Sequence, residues 1–124
     1  MKRIAIGICA AALLVSASSA NAEDAARGKI TFMQQCAMCH TILSGQHDSM
    51  GPNLFGVVGR KAGTKPGYSF SDAMKNSGIT WTTDSLKTFV LNPSGTVPSS
   101  NMMYMGLAVP AQADDLVAYI ATLK

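Results

Sequence analysis

Charged residues are scarce in this chain, and the few present are almost balanced in sign. Only 14% of the 124 residues are charged, with ten Lys or Arg against seven Asp or Glu. Two of the basic residues are Lys2 and Arg3, so residues 23–124 carry eight basic and seven acidic groups. A protein with so small an excess of positive charge would gain little binding affinity from contacts with phosphates, which argues against a nucleic-acid partner. Internal repeats are absent as well, and the length fits one small domain.

Long apolar runs are also missing, except for one at the N-terminus. Residues 4–15 are apolar throughout, but a run of about a dozen residues is too short to span a bilayer. A basic pair precedes the run and an A-x-A site follows it at residues 20–22, which is the order of a secretory signal peptide. We therefore expect residues 1–22 to be cleaved off together with Cys9. The remaining domain, 23–124, would be exported to the bacterial periplasm without stable membrane insertion; a retained anchor is the alternative.

No segment has the alternating, β-branched pattern of a strand, whereas several carry helical signals. Gly28, Phe32 and Cys36 recur at helical spacing after Asp24, a potential cap. Loops rich in glycine and proline cover residues 41–68 and 92–109. The fold is therefore predicted to be all-α with three to five helices, over residues 24–37, 71–76, from Thr82 or Thr83 to Leu91, and from Pro110 toward the C-terminus.

Cysteine and histidine are rare, with three and two copies, and most of them fall in one string, Cys36-Ala-Met-Cys39-His40. C-x-x-C-H is the attachment signature of c-type heme. The sequence thus predicts one heme c, attached through Cys36 and Cys39, with His40 as an iron ligand. Three alternatives are weaker. A redox dithiol would follow a strand, a disulfide here would close too short a loop to stabilise much, and zinc would need all four of Cys36, Cys39, His40 and His47.

Such an iron needs a second ligand on its other face, and methionine is the abundant candidate. Histidine–methionine ligation favours ferrous iron and raises the reduction potential. The connection 92–109 is longer than compact domains usually tolerate without a function. His47 lies in the same loop as His40 and is poorly placed to reach the opposite face. Spacing alone does not choose among the loop methionines, Met102, Met103 and Met105, whereas Met33, Met38, Met50 and Met74 fit flexible core filler.

From Gly28 onward the chain resembles the class I cytochromes c, close to the mitochondrial type and its soluble bacterial counterparts. The resemblance covers nearly all of residues 23–124. It implies a small fold whose long loops wrap around one covalently bound heme, with the first helix crossing the last. The strings that carry it are Gly28-Lys-Ile-x-Phe32, Gly51-Pro52-Asn53-Leu54, Gly59-Arg60-Lys61, Pro66-Gly67-Tyr68-Ser69, Gly78-Ile79-Thr80-Trp81, Asn92-Pro93 and Asp115-Leu116-x-Ala118-Tyr119.

The resemblance also implies roles for individual site residues. The family register between Pro98 and Gly106 puts the second iron ligand at Met102. The carbonyl of Pro52 matches the group that accepts the free N–H of the ligand histidine, which fixes that ring. Arg60 and Trp81 match groups around the inner heme propionate. Gly28 and Phe32 would pack against Leu116 and Tyr119 where the two terminal helices cross.

Two departures from the mitochondrial pattern stand out. Phe70, Phe89 and Met74 are apolar where that type has polar groups, which predicts a drier pocket. In addition, residues 88–123 contain no Lys or Arg, so the cations that dock the mitochondrial type are missing. Docking is therefore expected to use exposed apolar residues such as Met103 and Met105, with a weak dependence on salt.

The expected function is one-electron transfer rather than catalysis. A single heme with both axial positions filled binds no substrate, so the protein would shuttle electrons as a monomer between membrane or periplasmic redox proteins, in a respiratory or photosynthetic chain. The main alternative is an electron-transfer heme subunit of a larger periplasmic oxidoreductase. A small peroxidase or a gas-binding sensor would require an open iron face.

Overall fold

A computed structural model describes residues 23–124; the predicted signal peptide, residues 1–22 with Cys9, lies outside the described residues. Within residues 23–124 there is no strand, only an isolated antiparallel bridge between Lys61 and Thr80. None of the described helices is long and apolar enough to cross a membrane. The predicted all-α fold is confirmed, with α1 Ala25–Gln35, α2 Asp72–Lys75, α3 Thr83–Leu91, α4 Pro93–Thr96 and α5 Pro110–Ile120.

Side-chain caps explain where these helices begin. The Asp24 carboxylate accepts two backbone N–H groups in the first turn of α1, as the sequence predicts, and Thr82 forms a capping box with Ser85 at α3. The sequence pattern does not predict helix α4, because Asn92-Pro93 directly after Leu91 also fits the end of α3. The same pair also starts a helix, since Asn92 caps it and proline suits its first position. The connection 92–109 thus contains one helical turn before its methionines.

The first and last helices cross at a glycine. A Cβ atom on Gly28 would overlap the backbone carbonyl of Asp115 and lie 2.9 Å from the Cβ of Tyr119. Next to this contact, the rings of Phe32 and Tyr119 pack with centroids 5.6 Å apart, and Phe32 and Leu116 are fully buried. The predicted crossing is confirmed. Helix α5 also contacts α3, so one apolar core joins the three longer helices.

A buried carboxylate locks the same crossing. Asp115 accepts the backbone N–H of Asp24 at 2.8 Å and two guanidinium N–H groups of Arg27 at 2.9 and 3.2 Å. Its side chain is only 12% exposed. The bonds from Arg27, reinforced by the N–H of Asp24, hold the pKa of Asp115 below its usual value. The start of α1 is therefore tied to α5 by charge as well as by packing.

Replacing Asp115 with asparagine is expected to lower the free energy of unfolding by about 1.5 kcal/mol at pH 7, because the amide keeps the shape but loses charge-assisted bonds. A carboxyl whose folded-state pKa is depressed stabilises the protein above its unfolded pKa, near 4, and loses that contribution as pH falls through the folded value. Urea unfolding at pH 7 and pH 3 should therefore show a shallower acid loss in the variant. The control is Asp114→Asn, whose half-exposed ion pair with Lys87 should contribute less than about 1 kcal/mol. An unchanged acid profile for Asp115→Asn would contradict the predicted role.

Candidate heme-binding site

The C-x-x-C-H string forms one tight turn directly after α1. The backbone N–H groups of Cys39 and His40 both donate to the carbonyl of Cys36 at 3.0 Å. Residues at positions i, i+3 and i+4 of such a turn share one side. Cys36 caps α1, so the rigid helix fixes where the two thiols and the imidazole begin. The turn thus places all three reactive groups together.

The chemistry of the two thiols does not support the alternative interpretations of this string. Cys36 and Cys39 are free and not joined to each other, and no strand precedes them in the described chain. Burial, together with the neighbouring Cys39, raises the pKa of Cys36 to about 11. Dithiol oxidoreductases instead depress the pKa of their reactive thiol. Nor do residues 23–124 contain a cluster of three or more His, Cys, Asp or Glu that could hold a metal ion by itself.

The imidazole of His40 is held in one orientation and one tautomer. Its Nδ1 lies 2.8 Å from the carbonyl oxygen of Pro52. Because that oxygen can only accept, Nδ1 must carry the proton, which leaves Nε2 with its lone pair. Burial lowers the pKa of His40, against the opposing effect of the Pro52 bond. The ring is therefore suited to be neutral and to offer Nε2 to a metal.

The backbone of Gly51 packs directly against the His40 ring. A Cβ on Gly51 would overlap the ring, with its Nδ1 at 2.7 Å and its Nε2 at 2.9 Å. The N–H of Gly51 donates to the carbonyl of Cys39 at 2.8 Å, which pins this strip of chain against the turn. Only glycine fits such a close approach. The pair Gly51-Pro52 thus acts as one clamp on the His40 ring. Gly51 allows the close approach because it has no side chain, and Pro52 accepts the hydrogen bond through its carbonyl.

Two further polar residues, whose roles the sequence did not reveal, hold the loop that carries the clamp. Buried Asn53 donates to the carbonyls of Leu43 and Gln46 at 2.7 and 2.9 Å. Asp48 accepts the backbone N–H of Asn53 at 2.7 Å and forms an ion pair with Lys65 at 2.9 Å. These bonds, the N–H of Asn53 first, lower the pKa of Asp48. In the sequence, the one signal for this role of Asn53 is its position next to Pro52, within the Gly51-Pro52-Asn53-Leu54 string.

Arg60 and Trp81 are brought together by their backbones. The N–H of Trp81 donates to the carbonyl of Arg60 at 2.9 Å, and that of Gly59 donates to the carbonyl of Trp81 at 2.7 Å. The Arg60 guanidinium donates to the carbonyl of Phe55 at 2.6 Å, and burial lowers its pKa, against an opposing effect of Asp48. Trp81 is buried against Phe89, with ring centroids 5.1 Å apart. Their predicted contact with a propionate stays a prediction.

The three loop methionines differ sharply in exposure. Met103 and Met105 are 99% and 96% exposed, whereas Met102 is half-buried and packs against the apolar core. This alternation is that of an extended chain, with Met102 and Tyr104 facing inward. Two residues before Asn101, Ser99 takes a left-handed conformation, with φ of 65°, in a turn closed by the N–H of Ser100 on Val97. The structure thus turns Met102 inward, while His47 is exposed.

Tyr104 and Gln35 were also missed from the sequence. The Tyr104 hydroxyl donates to Oε1 of Gln35 at 2.5 Å across 69 positions of the chain. Burial, and secondarily the Cys36 thiol, raise the pKa of Tyr104. The bond to Gln35, which directly precedes Cys36, places Tyr104 close to the turn. The one local signal in the sequence is that Tyr104 is the only residue with a hydroxyl among the methionines of residues 102–105.

The donor set on these elements fits a covalently attached heme. It consists of two free thiols, a neutral imidazole with its Nε2 lone pair available, and an inward thioether. Cys36 and Met102 both pack against the same apolar core, together with Leu54 and Phe70. A flat apolar group joined at Cys36 would therefore be covered by apolar side chains, as its desolvation requires.

Comparisons with known proteins match the chain to one family. The family model described as cytochrome c matches residues 25–124. The chain is 42% identical to cytochrome c2 of Rhodomicrobium vannielii over 98% of this chain and 97% of that protein. It is 38% identical to cytochrome c2 of Blastochloris viridis over 97% and 92%. Among solved structures it is similar to cytochrome cH from Methylobacterium extorquens, with 42% identity, a TM-score of 0.74, and coverage of 80% of this chain and 98% of that one.

Proposed function

Because this chain belongs to the cytochrome c family, we propose that it is a soluble one-electron carrier of the periplasm, with His40 and Met102 as its two iron ligands. As a family member it is an electron-transfer protein with covalently attached heme c, and not an enzyme. When bound, the heme iron takes up and releases one electron. The proposal therefore concerns what the residues of this chain do around it.

The proposed site residues have separate roles in attaching the heme and in ligating its iron. Cys36 and Cys39 hold the group covalently, and His40 offers Nε2 while Pro52 and Gly51 keep its ring from turning. Met102 supplies a neutral thioether, which favours the ferrous state and so raises the reduction potential. Arg60 and Trp81 are proposed to lie at the inner propionate, where a partly buried cation and an indole N–H can both stabilise a carboxylate.

The observation that carries the proposal is the inward position of Met102, whereas the nearby Met103 and Met105 are almost fully exposed. With a second ligand available inside, no position remains for a substrate, and the reaction left is electron transfer without bond formation. The subunit alternative makes the same use of the site. The two differ in assembly, since a free carrier would be a monomer and a subunit would copurify with its complex.

Redox titration of the exported protein tests this function. We expect one covalently bound heme per chain, a single reversible one-electron transition, an N-terminus at Glu23 and a monomer on gel filtration. The relative from Rhodomicrobium vannielii aligns over 122 residues, so the similarity extends into residues 1–22, which supports export. A protein without covalent heme, or one retained in the cytoplasm, would contradict the proposal. Copurification with a larger complex would favour the subunit alternative.

Docking to redox partners is proposed to rely on apolar contact. Met103 and Met105 are almost fully exposed, and residues 88–123 supply no cation. The second-order rate of electron transfer with membranes of the same organism should therefore change less than about threefold between low and physiological salt. Met103→Lys is the matched control, because it adds a steering charge and should introduce a salt dependence. A steep fall of the wild-type rate with salt would contradict apolar docking.

A further inference from the structure

Among the described residues, the segment 98–105 makes one hydrogen bond to a distant part of the chain, and Met102 packs against the apolar core. Within residues 98–105, the N–H of Ser100 bonds to Val97 and that of Met102 to the hydroxyl of Ser100, both locally. In the described chain, the bond from Tyr104 to Gln35 is the one that reaches a distant element. The next backbone anchor is the N–H of Leu107 on the carbonyl of Val90 at 2.8 Å.

The position of Gln35 makes this bond a link between the two sides of the site. Gln35 is the last residue of α1 and directly precedes Cys36. Tyr104 lies two residues beyond Met102, and both side chains face inward along the extended segment. The bond therefore spans from the segment of the proposed methionine ligand to the turn that carries the thiols and His40. Breaking it would free the middle of the segment to move away from that turn.

We propose that Tyr104 is a positioning residue, whose hydroxyl bond to Gln35 holds the segment 98–105 in the conformation that presents Met102 to the iron. The inference rests on the proposed ligation by Met102. It adds Tyr104 as a residue that acts on the iron only through the position of Met102. Detaching the methionine requires the segment to swing outward, which must break this bond. A single net hydrogen bond corresponds to roughly a fivefold change in such an equilibrium.

Competition with imidazole for the ferric iron measures that equilibrium. Imidazole can bind only where Met102 has left, so its apparent affinity follows the detached fraction. We expect imidazole to bind the ferric holoprotein of Tyr104→Phe about fivefold more tightly than wild type at pH 7. Gln35→Met should do the same, because it removes the acceptor from the other side. The double variant should match either single variant, since both lose one shared bond.

Two matched variants separate positioning from general stability. Gln35→Glu keeps an acceptor oxygen and should retain wild-type imidazole affinity. Tyr68→Phe also removes one tyrosine hydroxyl bond, to the carbonyl of Met50 at 2.8 Å. Because neither residue belongs to the segment 98–105, this variant should leave imidazole affinity unchanged. If Tyr104→Phe and Gln35→Met bind imidazole within twofold of wild type, or if their effects add in the double variant, the positioning role is overturned. A wild-type ferric protein without a methionine–iron absorption band would instead overturn the ligation by Met102, and the positioning role with it.

Discussion

Met102→Ala should lower the midpoint reduction potential by on the order of 0.1–0.3 V, within the roughly 0.8 V that axial ligands span. The reason is that the thioether stabilises ferrous iron, and water or an external ligand would replace it in the variant. The methionine–iron absorption band of the ferric protein should disappear with it. Redox titration and the visible spectrum of the holoprotein measure both effects.

The neighbouring methionines provide the control for this prediction. Met103 is 99% exposed and Met105 is 96% exposed, so alanine at either position should leave the potential and the band unchanged. If Met103→Ala or Met105→Ala abolished the band while Met102→Ala kept it, the assignment of the second ligand would be wrong. The three variants together thus decide among the alternatives that spacing alone left open.

Gly28→Ala should lower the free energy of unfolding by about 3 kcal/mol, although alanine is the better helix former. Alanine gains about 1 kcal/mol of helix propensity over glycine. Its Cβ, however, would overlap the backbone carbonyl of Asp115, and a backbone atom cannot move away by changing rotamer. Forcing the two helices apart costs about 4 kcal/mol, at or above the upper end of overpacking effects, so the packing cost exceeds the propensity gain.

Urea unfolding of the holoprotein measures this difference, and the melting temperature should fall by about 12 °C or more. Lys29→Ala, on the exposed side of the same helix, is the control and should stay within about 0.5 kcal/mol. A Gly28→Ala variant as stable as wild type would show that the crossing relaxes easily. In that case the tight contact between α1 and α5 would not be a requirement of the fold.

What could be predicted from the sequence depended on how far apart the partners lie. The cap at Asp24 and the start at Pro110 are local signals, and both helices begin where they indicate. Asn92-Pro93 was also a local signal, but it is ambiguous, since the pair can end one helix and start the next. The helix crossing at Gly28 was predicted because a resemblance supplied the distant partner.

The site shows the same limit. The string Cys36-Ala-Met-Cys39-His40 predicts the heme attachment because all its groups are neighbours in sequence. The bond from Tyr104 to Gln35 joins residues 69 positions apart, and no periodicity or motif connects them. The contacts of Asn53 with two loop carbonyls depend on how that loop folds back on itself. Long-range polar contacts of this kind need coordinates.

Carbon monoxide binding to the reduced wild-type protein tests most directly whether both axial positions are filled. With His40 and Met102 as ligands, we expect little spectral change on adding carbon monoxide at neutral pH, and a large change in Met102→Ala, where one face is open. Prompt, stoichiometric binding of carbon monoxide by the wild-type protein would contradict a closed iron. It would then favour a sensor or an open-face enzyme over an electron carrier.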